Sequence, residues 1–494
     1  MPDNKMKPHR RTRASGRGDT VLRALPKAAT GIRGLDEITG GGLPKGRPTL
    51  VCGGAGCGKT VLAMEFLLRG AMQFQEPGVF MSFEETAEDL ARNVASMGFD
   101  LKALMARKQL LIDHVRIERS EIEETGEYDL EGLFIRLGQA IDSIGAKRVV
   151  LDSVEALFGG FANAAVLRAE LRRLFDWLKA KKVTAIITGE RGAETLTRQG
   201  LEEYVSDCVI LLDHRVSNQL TIRRMRIVKY RGTVHGTDEY PYLIGEQGTV
   251  VLPITSLVLQ HEASTERLSS GVGALDTMLG ARGFFRGSTV LVSGTTGTGK
   301  SSLAAHFVAA ACRRGERCLY VAAEESPSQI LRDMRSIGIE LAPHVASGSL
   351  QFHASRPTAH GLELHLVSVQ KLVEDFRPRV VVVDSITSYL HMGVSAEVMS
   401  MVVRLVDFLK THQITLFMTS LIEGGSPSEM TGADISSLVD AWLLLRNLET
   451  NGARVRTLSI LKARGMAHSN QTHEFALTEK GVEFKRPASA KEGS

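Results

Sequence analysis

Two glycine-rich segments, one in each half of the chain, have the residue types and spacing that bind nucleotide phosphates. Both fit the pattern G-x-x-x-x-G-K-[ST]. In this pattern backbone N–H groups surround the phosphate oxygens, the lysine reaches the β- and γ-phosphates, and the hydroxyl residue ligates Mg²⁺. Because the pattern occurs twice, a chance match is a poor explanation. The predicted nucleotide-binding residues are Gly53, Gly54, Ala55, Gly56, Cys57, Gly58, Lys59 and Thr60, and Gly294, Thr295, Thr296, Gly297, Thr298, Gly299, Lys300 and Ser301.

Two aspartates end strongly apolar runs further along the chain, Asp152 in the first half and Asp384 in the second. In phosphate-loop enzymes a carboxylate at the end of such a strand orients Mg²⁺ and its waters. These aspartates, with Thr60 and Ser301 of the loops, are therefore the predicted metal ligands. The alternative is a strand-terminal aspartate that caps the next turn.

A pair of adjacent glutamates, Glu84-Glu85 and Glu324-Glu325, also follows an apolar run in each half. Two neighbouring carboxylates beside bound phosphates are costly unless one of them has a task there. A glutamate in this position can polarise a water for hydrolysis or accept the proton of an attacking hydroxyl group. The alternative is an acidic helix start. The repetition favours catalysis, so all four glutamates are predicted catalytic residues.

A spaced set of cations lies near the end of each half, in the pattern K-x-R-G-x-x-H. Such cations can neutralise the charge that develops during phosphoryl transfer, as fingers supplied by a neighbouring subunit. The alternative, a solvated strand face, does not explain why the pattern is repeated. The predicted contacts to a neighbour's nucleotide are Lys229, Arg231, His235, Lys462, Arg464 and His468.

The four elements recur in the same order, which indicates two copies of one domain. In each copy, apolar runs alternate with helix-patterned stretches; for example, the strand Pro48–Cys52 precedes the first loop and the helix Val61–Met72 follows it. This alternation predicts an α/β fold, with a mostly parallel sheet covered by helices on both faces. The expected boundaries are a basic leader over 1–21, a first copy over 22–260, a second copy over 261–486 and a short tail over 487–494.

Composition sets limits on the class of protein. The chain has 494 residues, of which 43% are hydrophobic and 23% charged, so it can bury more than one core. It contains no apolar run of membrane-spanning length and no signal-peptide core. Its five cysteines form no C-x-x-C pair, as in a reduced, cytoplasmic protein. The basic leader is expected to be a disordered, solvated segment rather than a nucleic-acid or membrane arm.

With these motifs assembled, the chain resembles the KaiC family of tandem RecA-like ATPases. The resemblance covers residues 25–486 and rests on the phosphate loop, the glutamate pair, the aspartate strand and K-x-R-G-x-x-H, in order and twice. It implies two RecA-like domains that hydrolyse ATP with Mg²⁺, stacked as two rings of a homohexamer with ATP at the subunit interfaces. It also implies that the glutamate pair is catalytic and that K-x-R-G reaches the neighbour's nucleotide.

The resemblance further implies serine/threonine autokinase activity in the second copy. The matching segment runs from Thr431 to Asp440 and makes Ser436 and Ser437 the candidate phosphate acceptors, with Thr431 as a further possibility. The family usually has threonine at the second position, so Ser437 departs from the pattern while keeping a hydroxyl group. The equivalent positions of the first copy hold Glu203 and Tyr204, which predicts a first copy that is an ATPase alone.

Partners and rival functions stay open. We expect a homohexamer in a circadian, stress or signalling role, with KaiB-like or signalling partners. A KaiA-type partner is doubtful, because little chain follows Phe484. One rival is a RecA- or RadA-like DNA-dependent ATPase, but aromatics are only 5% of the residues and give little material for base stacking. The other rival is a scaffold that assembles with ATP and turns it over negligibly.

Overall fold

The computed structural model describes most of the chain, in two compact units. The described residues are 25–115, 130–158, 164–192, 196, 206–217, 220–246, 248–253, 263–359, 361–390, 395–422, 437–450 and 453–485. The first unit lies within 1–212, 226–239 and 245–249, and the second within 213–225, 240–244 and 250–494. Each copy is described below by itself.

Within the described residues, the first copy is built around a nine-stranded sheet. Its strand order is β11-β10-β9-β8-β3-β7-β6-β4-β5, and the six strands from β8 to β5 in this order run parallel. A separate two-stranded sheet, β1 (Lys27–Ala28) with β2 (Leu43–Pro44), precedes it. The strands of the large sheet are β3 (Pro48–Gly53), β4 (Gly78–Ser82), β5 (Leu110–His114), β6 (Arg148–Asp152), β7 (Thr184–Glu190), β8 (Cys208–Ser217), β9 (Leu220–Tyr230), β10 (Glu239–Gly245) and β11 (Gly248–Val251).

The second copy repeats this topology strand for strand among its described residues. Its order is β16-β15-β17-β18-β14-β19-β20-β21-β22, which is parallel from β16 to β19 and antiparallel from β19 to β22. The small sheet pairs β12 (Arg267–Leu268) with β13 (Phe284–Phe285). The other strands are β14 (Thr289–Gly294), β15 (Cys318–Ala322), β16 (Leu350–Ala354), β17 (Val380–Asp384), β18 (Thr415–Leu421), β19 (Ala441–Thr450), β20 (Ala453–Ala463), β21 (His473–Thr478) and β22 (Gly481–Phe484).

Helices connect the parallel strands, as the alternation in the sequence predicts. The first copy contains α1 (Leu35–Ile38), α2 (Lys59–Phe74), α3 (Ala87–Ala95), α4 (Leu101–Ala106), α5 (Glu131–Ile144), α6 (Glu155–Phe158) and α7 (Ala164–Ala180). The second contains α8 (Gly273–Met278), α9 (Lys300–Arg313), α10 (Pro327–Ser336), α11 (Ala342–Ala346), α12 (Leu362–Phe376), α13 (Thr387–Leu390) and α14 (Ser395–Thr411), with a 3₁₀ turn at Pro357–Ala359. The predicted tandem RecA-like α/β fold is confirmed.

The central strands are apolar because both faces of each sheet are covered. Every residue of β3, β4, β6 and β14 is buried, as in sheets that carry helices on both faces. In the second copy one face packs against α9 and the other against α12 and α14. None of the helices that the structure describes is long and apolar enough to cross a membrane.

Candidate nucleotide sites

Each glycine-rich segment joins the end of a central strand to the beginning of a long helix. The first lies between β3 and α2, the second between β14 and α9. Gly58 and Gly299, directly before the helices, have φ angles of 91° and 98°, a left-handed conformation that glycine adopts without strain. The N–H groups of the first helical turn therefore face the loop, the arrangement that binds phosphate.

The loop lysines hold the same position in both copies. Lys59 Nζ donates to the carbonyl oxygens of Gly53 and Gly54 at 2.9 and 3.0 Å. Lys300 Nζ donates to Gly294 and Thr295, both at 2.9 Å. Burial lowers the pKa of Lys300, while the nearby Asp384 and Glu324 act in the opposite direction. Each ammonium group therefore lies inside its loop, where a phosphate group would be bound.

The first glycine of each loop is required by close packing. A Cβ atom at Gly53 would lie 2.4 Å from the carbonyl oxygen of Leu212, and one at Gly294 would lie 2.6 Å from that of Leu445. Real Cβ atoms do not approach backbone this closely. The neighbouring strands β8 and β19 thus fix the position at which the phosphate loop leaves the sheet.

Asp152 lies beside the first loop, at the end of β6. The Thr188 hydroxyl donates a very short hydrogen bond to its Oδ1. Burial raises the pKa of Asp152, whereas the hydroxyl groups of Thr188 and Thr60 and the charge of Lys59 counteract that rise. Thr60 and Asp152, the two predicted metal ligands of this copy, are therefore close together, as a shared Mg²⁺ requires.

Asp384 has a corresponding position in the second copy, with one additional partner. The Thr419 hydroxyl donates a very short hydrogen bond to Oδ1, and the Tyr320 hydroxyl donates to Oδ2 at 2.6 Å. Tyr320 is fully buried, and burial followed by the charge of Asp384 raises its pKa. The position of Tyr320 on β4 of the first copy is held by Phe80, which has no hydroxyl, so the two sites differ in how the aspartate is held.

The first glutamate of each pair is held by the serine that follows the aspartate. Ser153 Oγ donates to Glu84 Oε1 at 2.8 Å. Ser385 Oγ donates to Glu324 Oε1 at 3.1 Å, and the Ser388 hydroxyl adds a very short hydrogen bond to the same oxygen. The glutamates follow β4 and β15, and the aspartates end β6 and β17. β4 pairs with β6, and β15 pairs with β17. The structure therefore brings both predicted groups together.

The second glutamate of each pair is harder to ionise than an ordinary glutamate. Burial, followed by repulsion from Asp152, raises the pKa of Glu85; burial and Asp384 do the same for Glu325. The Asn93 amide donates to Glu85 Oε2 at 2.8 Å and orients it. A carboxylate with a raised pKa next to a phosphate site has the property expected of a proton acceptor.

The K-x-R-G segments lie at the opposite edge of the sheet from the phosphate loops. In the second copy Val290 pairs with Ala441, which pairs with Ala463, so Arg464 lies level with the beginning of β14. The phosphate loop follows Gly294 at the other end of β14. Five residues of strand separate the two places by about 16 Å.

The first copy has the same arrangement. Arg231 N donates to Asp207 O at 2.9 Å, and Asp207 precedes Cys208, which pairs with Thr49 near the beginning of β3. The His235 ring lies 6.1 Å from the Tyr230 ring. The basic sets of both copies are thus in equivalent places, at a distance from their own loops.

The remaining basic residues of these segments lie close to the two arginines. Lys229 is the penultimate residue of β9, and Lys462 is in the same position of β20. Burial lowers the pKa of Lys462, and the neighbouring Arg464 adds to this effect. His468 Nδ1 lies 3.2 Å from the carbonyl oxygen of Met466. None of these groups is placed beside the phosphate loop of its own copy.

Of the predicted phosphate acceptors, Ser437 lies within the described residues. It is exposed, and its carbonyl oxygen accepts a hydrogen bond from Arg464 Nη2 at 2.8 Å. Ser436, Thr431, Glu203 and Tyr204 lie outside the described residues, as do the leader and the tail.

The sequence did not lead us to the groups that hold these carboxylates. Thr188 and Thr419 stand at equivalent positions of β7 and β18, so the internal repeat carried a signal for them. Ser153 and Ser385 directly follow the two aspartates and carried the same signal. Tyr320 has no counterpart in the first copy, and only the structure reveals its contact.

Fold and site together define a tandem phosphate-loop ATPase with two RecA-like domains. Comparison with known proteins narrows the class: the family described as "ATPase: KaiC" matches residues 28–256 and 268–489. The chain therefore belongs to the KaiC family.

Individual relatives match over nearly the full chain. "Circadian clock protein KaiC2" of Synechocystis sp. is 55% identical over 463 residues, which cover 93% of this chain and 82% of the relative. "Circadian clock oscillator protein KaiC" of Parathermosynechococcus lividus is 39% identical, covering 94% and 86%. The protein of the same name from Prochlorococcus marinus (strain MIT 9313) is 37% identical, covering 96% and 95%.

The raised pKa of Asp152 has a consequence for stability. Because the folded chain binds this proton more tightly than the unfolded chain, ionising the carboxyl group costs stability. The cost is complete above the folded-state pKa and disappears below the ordinary pKa of aspartate. Without nucleotide, Asp152→Asn should therefore raise the melting temperature at pH 7.5, and the gain should shrink as the pH is lowered towards 4.

The matched control is Asp142→Asn, which alters an exposed carboxylate paired with Lys181 and should change the melting temperature little at any pH. Differential scanning calorimetry across the pH series gives the comparison. A lower melting temperature for Asp152→Asn at pH 7.5 would contradict the assignment of Asp152 as a buried, costly charge.

Proposed function

We propose that each copy binds Mg-ATP at an interface between two chains of a ring, with a homohexamer as the expected assembly. The observation that carries this proposal is the location of the basic set. The loop, aspartate and glutamates share one edge of each sheet, while Arg231 and Arg464 lie at the other edge. A head-to-tail contact between identical chains brings opposite edges together, and it forms a ring when the rotation between neighbouring chains closes.

In such a site, each group of the chain would have a separate role. The glycine loop binds the β- and γ-phosphates, and Lys59 or Lys300 neutralises their charge. The hydroxyl groups of Thr60 and Ser301, with the carboxylates of Asp152 and Asp384, are the residues that would hold Mg²⁺. The metal would neutralise charge on the phosphate oxygens. The arginine of the neighbouring chain would stabilise the charge of the transition state.

The glutamate pair supplies the proton acceptor. For hydrolysis, a carboxylate of Glu84 or Glu85, or of Glu324 or Glu325, takes a proton from water as its oxygen forms a bond to the γ-phosphorus. The bond between this phosphorus and the β–γ bridging oxygen breaks, and ADP leaves with that oxygen. The raised pKa values of Glu85 and Glu325 favour proton acceptance by these two groups.

In the second copy the attacking group can be a serine hydroxyl in place of water. We infer that this copy is a serine/threonine autokinase acting on Ser436 and Ser437, with Thr431 as a further acceptor. Support comes from the hydrogen bond between Arg464 and Ser437, because it puts Ser437 beside the arginine that we propose acts on the neighbour's nucleotide. The serine oxygen then attacks the γ-phosphorus as its proton passes to a glutamate, the bond to the β–γ bridging oxygen breaks, and ADP leaves. The γ-phosphoryl group is thus transferred to the serine oxygen.

The clock-protein names of the relatives suggest a role of the same kind here. We propose a circadian or related signalling function, in which the ATPase cycle and self-phosphorylation set the state of the ring. KaiB-like or signalling proteins would be its partners. The first copy, with Glu203 and Tyr204 in the acceptor positions, would hydrolyse ATP and support assembly.

Replacing the glutamates tests the catalytic assignment. Glu84→Gln with Glu324→Gln, and separately Glu85→Gln with Glu325→Gln, should leave ATP binding intact. At least one of the two pairs should lower phosphate release about 10²- to 10⁴-fold, the usual contribution of a positioned base. Glu88→Gln, on the exposed face of α3, is the matched control and should retain the wild-type rate. Wild-type rates for both pairs would contradict the catalytic assignment of the glutamates, whereas negligible phosphate release by the unaltered chain would favour the scaffold alternative.

Phosphosite mapping tests the kinase activity. After incubation of the full chain with Mg-ATP, mass spectrometry should find phosphate on Ser436 or Ser437. The signal should disappear in Lys300→Ala and persist in Lys59→Ala chains that are shown to be assembled, because the second loop is the one proposed to supply the phosphoryl group. No phosphate on Thr431, Ser436 or Ser437 would remove the autokinase and leave a double ATPase.

A further inference from the structure

A buried aspartate lies next to the finger arginine of the first copy. The side chain of Asp207 is only 4% exposed, yet three cations surround it. Lys179 Nζ lies 3.0 Å from its Oδ2, Arg47 Nη1 lies 3.7 Å from the same oxygen, and Arg231 Nη1 lies 3.7 Å from Oδ1. The carboxylate is therefore shared between structural cations and the finger.

The second copy contains an equivalent aspartate in different surroundings. Lys410 Nζ lies 2.9 Å from Asp440 Oδ2, and Arg464 Nη1 lies 3.8 Å from Asp440 Oδ1. Thr289 N donates to Asp440 Oδ2 at 2.8 Å, in place of the second arginine of the first copy. The contacts common to both copies are one close lysine and one more distant finger arginine.

The aspartate also holds the finger through the backbone. Arg231 N donates to the Asp207 carbonyl oxygen at 2.9 Å, and Arg464 N donates to that of Asp440 at 2.7 Å. Each arginine is thus held at its backbone and at its guanidinium group by the same residue. This fixes where the side chain leaves the sheet and the direction in which it points.

The guanidinium groups can also be reached by a second anion, because more than half of each arginine side chain is exposed. The lysine makes the close contact with the carboxylate, and the arginine lies at 3.7 or 3.8 Å from it. The arginine side chains are 55% and 54% exposed. A guanidinium group has five donors in a rigid fork. It can face the aspartate, and in the second copy also donate to the carbonyl oxygen of Ser437, and still present donors to a phosphate.

We propose that Asp207 and Asp440 are positioning residues for the finger arginines, Arg231 and Arg464. The inference rests on the proposed function, in which these arginines act on the nucleotide of a neighbouring chain. The aspartate holds the arginine in its working direction before the nucleotide arrives, so that less side-chain freedom is lost when the transition state forms. The lysine takes the close contact with the carboxylate, so the aspartate does not capture the arginine completely.

A double-mutant cycle on the full chain tests the inference. The three variants are Arg231→Ala with Arg464→Ala, Asp207→Asn with Asp440→Asn, and all four changes together; phosphate release is measured at saturating Mg-ATP. The arginine variant should lose about tenfold or more in kcat, and the aspartate variant about three- to thirtyfold, with KM for ATP little changed. The fourfold variant should match the arginine variant, because the aspartates act through the arginines.

The matched control is Asp36→Asn with Asp276→Asn. These carboxylates also hold an equivalent turn in both copies, by accepting hydrogen bonds from the backbone at Thr30 and Ser270, and they do not contact the fingers. They should leave kcat within about twofold of wild type. Asp207→Glu with Asp440→Glu keeps the charge beside the lysines and protects the fold, but displaces the carboxylate, so kcat should still fall about threefold.

The outcomes separate the inference from the function on which it rests. A wild-type kcat in the arginine variant would overturn the shared site and the inference with it. A large loss in the arginine variant, with wild-type kcat in either aspartate variant, would overturn the inference alone. So would a fourfold variant whose loss equals the product of the two separate losses, because that result describes independent structural roles.

Discussion

The parallel register of the central strands is the constraint on which the rest of each copy depends. It brings the carboxyl ends of β3, β4 and β6, and of β14, β15 and β17, to one edge of the sheet. The phosphate loops, the glutamate pairs and the two aspartates all lie at these strand ends. The antiparallel return through β20 takes the finger segment to the other edge. Within each copy the phosphate loop and the finger segment therefore lie apart, which is why we propose a site that is shared between chains.

The aspartate and the glutamate pair of each copy lie together at one edge of the sheet, and hydrogen bonds from neighbouring polar groups stabilise them there. In each copy, hydroxyl groups hold two of the three neighbouring carboxylates, the aspartate and the first glutamate, and in the second copy one of these hydroxyl groups is that of Tyr320. The raised pKa values of Asp152, Glu85 and Glu325 show that the balance still costs stability before nucleotide binds. A metal ion and an arginine of a neighbouring chain would supply the missing positive charge. Metal binding and assembly of the chains would then both reduce the repulsion between these carboxylates.

Much of the fold and of the candidate site could be predicted from the sequence, because the motifs that indicate them occur in both copies. The loops, the ends of β6 and β17 and the glutamate pairs follow from local pattern and strand alternation. Interactions between distant parts of the chain could not be predicted in this way. The contact between Tyr320 and Asp384 joins positions far apart in sequence. The shared carboxylates of Asp207 and Asp440 depend on register, which hydrophobic pattern alone does not specify.

Mixing two impaired variants tests most directly whether the site is shared between chains. Chains with Lys59→Ala and Lys300→Ala contribute fingers only, and chains with Arg231→Ala and Arg464→Ala contribute phosphate loops only. When equal amounts are assembled together, about a quarter of the head-to-tail interfaces should combine an intact loop with an intact finger. Phosphate release should then recover to about a quarter of the wild-type rate. No recovery above the two separate variants, in rings shown to contain both chains, would contradict a shared site.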